Sequence, residues 1–109
     1  MAYSETLAER VRKILAKQSG IRERTMFGGI CFTLNGNMCC GILEDRLVLR
    51  LGAVEAEKAL VEPHTRPMDF TGKPMKGMVY VEAEAIISAP SLRKWVMRSV
   101  VYAESLPPR

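Results

Sequence analysis

The sequence predicts an α+β fold, a two-layer sandwich whose antiparallel sheet combines a three-stranded meander with a hairpin, flanked by N-terminal and C-terminal helices. Three observations lead there. Apolar residues recur at helical spacing near both ends of the chain, two short apolar runs flank Asn35-Gly36, and a further strand pattern follows the turn at Thr71-Gly72-Lys73-Pro74. At 109 residues the chain is expected to be a single domain spanning 1–109, with one modest core. No internal repeat or low-complexity tract interrupts it.

The first helix is expected from Ser4 to Ser19. Leu7, Val11, Ile14 and Leu15 fall at i, i+4, i+7 and i+8, Ser4 can cap the start, and Gly20 can end the helix. A strand from Arg24 to Leu34 follows, then Met38–Leu43 and Arg46–Leu51. A three-residue loop pairs Leu34 with Met38, Phe32 with Cys40 and Ile30 with Ile42, and asks Asn37 to adopt the left-handed region. A tight turn at Glu44-Asp45 then pairs Leu43 with Arg46, Ile42 with Leu47 and Cys40 with Leu49. Both hairpins therefore put Ile30, Phe32, Leu34, Met38, Cys40, Ile42, Leu47, Leu49 and Leu51 on one buried face. The other face carries Phe27, Gly29, Cys31, Cys39, Gly41, Val48, Arg46 and Arg50.

Residues 52–61 read as a short helix that Pro63 brings to an end. Met68-Asp69-Phe70 is the expected partner of a strand over Met75–Glu82, rich in the β-branched and aromatic types that suit a sheet. Gly72-Lys73 is no phosphate loop, because Pro67 and Pro74 occupy the positions where the Walker pattern needs Gly and Ser or Thr. Ser88-Ala89-Pro90 opens a last helix whose inward stripe is Leu92, Trp95, Val96, Ser99, Ala103 and Leu106. Val100, Val101 and Tyr102 widen that stripe.

An apolar fraction of 48% with 26% charged residues describes an ordinary soluble domain, and no apolar run approaches a membrane span of about 20 residues. The N-terminal residues carry no secretory pattern, which points to the cytoplasm. Three cysteines, two of them adjacent, make a poor disulfide framework and are expected as free thiols without metal. The one histidine, His64, lies in a loop without a nucleophile's sequence context, and Asp69 reads as a turn residue. Neither an enzyme nor a cofactor is expected.

The net charge of +4 permits an anionic partner. Arg22, Arg24, Arg46, Arg50, Lys73 and Lys76 lie at strand ends and turns and are the candidate contacts to phosphate or to a partner. No base-reading element accompanies them, so DNA binding is expected to be weak and non-specific at most. Phe27, Cys31, Val48, Val100, Val101 and Tyr102 are the candidate interface residues. A homodimer through the last helix or the second face of the meander is expected from them.

Arg24-Thr25-Met26-Phe27-Gly28-Gly29, the glycine-bearing second strand, Leu47-Val48-Leu49-Arg50, the stretch from Pro67 to Val81 and Leu92-Arg93-Lys94-Trp95-Val96 come in an order that resembles the N-terminal domain of the TfoX/Sxy family. The resemblance covers essentially the whole chain. It implies a two-layer α/β domain and a role in a family of competence regulators thought to act with the cyclic AMP receptor protein at promoters. Longer members carry a second, helical C-terminal domain, and this chain is expected to be the first domain standing alone. The expected function is therefore regulation of competence or transcription through protein contacts, a transcription activator being one candidate partner. The alternative is a homodimeric interaction module with no promoter role.

Overall fold

The computed structural model describes residues 3–26, 28–69 and 76–109. Helix α1 (Glu5–Leu15) starts where expected, with the Leu7 amide donating to Ser4 Oγ at 3.1 Å. It stops short of Gly20, which at φ +82° instead turns the chain into β1 (Ile21–Met26). The strand expected over Arg24–Leu34 is broken into two. Gly28, at φ +78°, folds β1 back on β2 (Gly29–Leu34), with Arg24 opposite Cys31 and Met26 opposite Gly29. Glycine alone takes that conformation without a Cβ clash, so the meander has four strands where three were expected.

Strand β3 (Asn37–Leu43) follows a two-residue turn with Asn35 at φ 52° and Gly36 at φ 85°. Both central residues are left-handed, the geometry that matches strand twist, and Leu34 pairs with Asn37 where Met38 was expected. The positive φ belongs to Asn35 and not to Asn37. A bulge around Cys39 then takes up one residue, so that Phe32–Cys40 and Ile30–Ile42 pair as the hydrophobic pattern requires. The register to β4 (Arg46–Arg50) is the expected one throughout.

Helix α2 (Ala53–Ala59) is closed by the Thr65 hydroxyl, which donates to the carbonyls of Ala59 and Glu62. The last hairpin pairs β5 (Thr65–Pro67) with β6 (Met78–Val81), so that the partner strand comes before Met68-Asp69; Phe70 and Met75 of the expected hairpin lie outside the described residues. The turn expected at Thr71-Gly72-Lys73-Pro74 lies outside the described residues. Strand β6 also pairs with β4, which makes one six-stranded sheet in the order β1-β2-β3-β4-β6-β5. Helix α3 (Ala89–Glu104) starts at Ser88, whose hydroxyl accepts from the Ser91 amide, with Pro90 in the first turn.

The three helices of the described residues all pack on one face of the sheet. Leu7, Val11 and Leu15 of α1, Ala56 and Ala59 of α2, and Leu92, Trp95, Val96 and Val100 of α3 share one core with Phe32, Ile42, Leu47, Leu49, Val79 and Val81. Of the nine residues expected on this face, eight are there. Met38 is the exception, because the two-residue turn and the bulge direct it to the other side. No helix among the described residues is long and apolar enough to cross a membrane.

Candidate functional site

Directly paired residues in an antiparallel sheet point to the same side, so the registers define what the helix-free face presents. Arg24, Cys31, Gly41, Val48, Tyr80 and Arg66 form one row that crosses all six strands. Arg22, Thr33 and Met38 stand on one flank of it, Leu43 and Arg46 on the other. Val48, Met68 and Tyr80 make a small cluster against which half-buried Met38, Leu43 and Met78 pack.

Tyr80 is only 3% exposed because arginines cover it: the Arg46 guanidinium lies 4.3 Å and the Arg66 guanidinium 5.9 Å from its ring centroid. Each is also held by a carboxylate, Arg46 by Glu44 at 2.6 Å and Arg66 by Glu82 at 2.7 Å. Guanidinium over an aromatic face is a favourable, pre-oriented arrangement that still leaves N–H donors for an incoming anion. Arg22 and Arg24, on the exposed edge strand, make no ion pair among the described residues.

The sequence-derived contacts therefore separate. Arg22, Arg24 and Arg46 come together on one face. Arg50 starts from the same face, but its guanidinium reaches round the strand end to 5.6 Å from the Tyr102 ring. Lys76 is exposed just before β6. Lys73 and Phe27 lie outside the described residues.

The interface set separates as well. Val100 is fully buried, in the core that α3 shares with the other helices and the sheet. Tyr102 is half-buried, with Gly52 so close that an added Cβ would meet the ring at 2.5 Å, and Val101 remains 64% exposed. Cys31 and Val48 do lie on the helix-free face, at its floor.

Cys39, expected on that face, is turned into the core by the bulge, with Sγ 3.4 Å from Ser99 Oγ on α3. Cys40 lies beside it in the same core, and all three cysteines are free. The adjacent Cys39 thiol, together with burial, pushes the Cys40 thiol well up, and the same interaction lowers Cys39. Burial also raises Cys31, with nearby Arg24 offsetting part of that. His64, at φ 65°, serves the turn into β5, its carbonyl accepting from the Glu82 amide at 2.8 Å.

Sequence reasoning missed Arg66, Tyr80, Met68 and Met78 as members of the face. The available signal was parity: Tyr80 sits between Val79 and Val81, so if those valines face the core, Tyr80 faces away from it. Placing Arg66 beside Tyr80 needed the β5–β6 register, which a hairpin with a long connection does not reveal.

The model of the TfoX N-terminal domain family matches residues 13–103 of the chain. No curated protein and no solved structure matches it.

Proposed function

The chain belongs to the TfoX N-terminal domain family, and from that premise we propose that it is a regulatory domain of competence or transcription that works in the cytoplasm through protein contacts on the helix-free face of its sheet. The observation that carries the reading is the asymmetry of that sheet. Three helices cover one face, while the other presents Arg22, Arg24, Arg46 and Arg66 around Val48 and Tyr80. Arginine and aromatic side chains over a small apolar centre are the composition that protein interfaces favour. A second copy of the chain is a poorer occupant, since a twofold axis through the face would set arginines against arginines. DNA is expected to bind weakly and without sequence preference, because these side chains rise from a flat sheet and none is carried into a groove.

The test compares deletion of the protein in its own host with replacement by an Arg22→Ala/Arg24→Ala/Arg66→Ala variant. Both should change the transcripts of competence genes alike, with the variant still folded, and the variant should lose capture of the cyclic AMP receptor protein. Unchanged transcripts on deletion would remove the regulatory reading.

A further inference from the structure

We infer that the helix-free face is a docking trough for a protein segment whose apolar middle is bracketed by carboxylates, an inference that rests on the protein-contact reading above. The row Arg24–Cys31–Gly41–Val48–Tyr80–Arg66 takes one residue from each of six strands. Five strand spacings of about 4.8 Å give a span of about 24 Å between its arginine ends. Its middle is low. Cys31, Gly41 and Val48 are small, and position 41 is confined to glycine because a Cβ there would stand 2.6 Å from the Ile30 carbonyl oxygen. Half-buried Met38 and Leu43, on either side of that row, form apolar walls.

The ends have the opposite chemistry. At one, Arg22 and Arg24 are exposed and unpaired among the described residues; at the other, Arg66 ends the row and the Arg46 guanidinium reaches from the flank over Tyr80, each also paired with a glutamate. An apolar floor between two cationic ends complements an anionic–apolar–anionic segment. A nucleic-acid backbone fits less well, since its charge is uniform along its length while the middle of the row is apolar.

The experiment selects from a random dodecapeptide library displayed on phage, using the intact chain as bait. Twelve extended residues reach about 40 Å, enough to span the trough. Enriched peptides should carry an apolar cluster flanked by Asp or Glu. The best of them should lose about tenfold or more in affinity on Arg22→Glu/Arg24→Glu, a difference of about 1.4 kcal/mol, and recover much of it with Arg22→Lys/Arg24→Lys. Its binding should shift the backbone amide resonances of Cys31, Gly41 and Val48. Both arginines are exposed on an edge strand, so the variants should melt like the parent, which keeps the comparison interpretable.

Failure of any sequence to enrich, a consensus without acidic residues, or affinity indifferent to the charge reversal would overturn the proposal. So would a short DNA duplex that displaces the peptide and binds more tightly at about 150 mM salt, where surface charges are screened beyond about 8 Å. If the peptide chemistry fails while Arg22→Glu/Arg24→Glu still alters competence transcripts, only the partner's chemistry falls. If peptides are selected but deletion leaves transcripts unchanged, the regulatory reading falls and the trough stands.

Discussion

One face of the sheet is held by volume and the other by orientation, although the same strands supply both. Towards the helices, Phe32, Leu47, Leu49 and Val79 are within 1% of complete burial and meet aliphatic side chains from all three helices. Away from them, Tyr80 and Val48 are nearly as buried, at 3% and 5%, yet what covers them includes guanidinium groups and methionines. Low exposure thus has two origins here. On the core face it reports close packing that resists any change of volume; on the other it reports long side chains that an incoming partner can displace or engage.

Substitutions that treat the two faces unequally sharpen this contrast. Phe32→Ala should have the largest effect, a loss of about 3 to 5 kcal/mol in unfolding free energy, read from urea or thermal denaturation. A loss below about 1 kcal/mol would mean that the core face is not packed as described. Gly41→Ala comes next. Its Cβ would press on the Ile30 carbonyl 2.6 Å away, backbone that cannot swing aside, so the β2–β3 pairing should weaken by about 1 to 3 kcal/mol.

Tyr80→Leu keeps an apolar side chain of moderate size and removes the ring under Arg46 and Arg66. The expected loss is about 1 to 2 kcal/mol, with faster amide exchange near Arg66 and little change around Phe32. A loss as large as that for Phe32→Ala would erase the distinction between the faces.

The smallest effect is on pH dependence. Cys40 and Cys31 have folded pKa values raised above their unfolded ones, so the unfolded chain releases their protons first. Their contribution is fully present below the unfolded thiol range, about pH 8.5, and is lost as pH rises towards the folded values. Cys39, lowered by the adjacent Cys40, opposes part of this. The urea midpoint should therefore fall modestly from pH 8 to 9.5, and less so in Cys40→Ala; a midpoint that rises over that interval would contradict the assignment.

Much of the core face was legible from the sequence because period-2 alternation and the Asn35-Gly36 turn are local signals. Ile30, Phe32, Cys40, Ile42, Leu47 and Leu49 pair as the pattern requires. So were the cap at Ser4 and the helix start at Ser88-Ala89-Pro90, which need only a hydroxyl or a proline beside the first turn.

The site was less legible, since its members meet only when distant strands are set side by side. Arg24 and Arg66 stand at the two ends of one row through registers spanning six strands, and Tyr80 joins them by pairing with both Val48 and Arg66. The reversal of Cys39 and Met38 depended on a bulge that reconciles a two-residue turn with the core pattern, a compromise between two local preferences that only the assembled sheet resolves. Burial of Val100 depended on where α3 came to lie. What the sequence determined by itself was which residues prefer to be strand, helix or turn, because those preferences act over a few neighbouring residues. What the tertiary structure decided was which arginines share a face, because side-chain direction across a sheet is set by pairing between residues far apart in the chain.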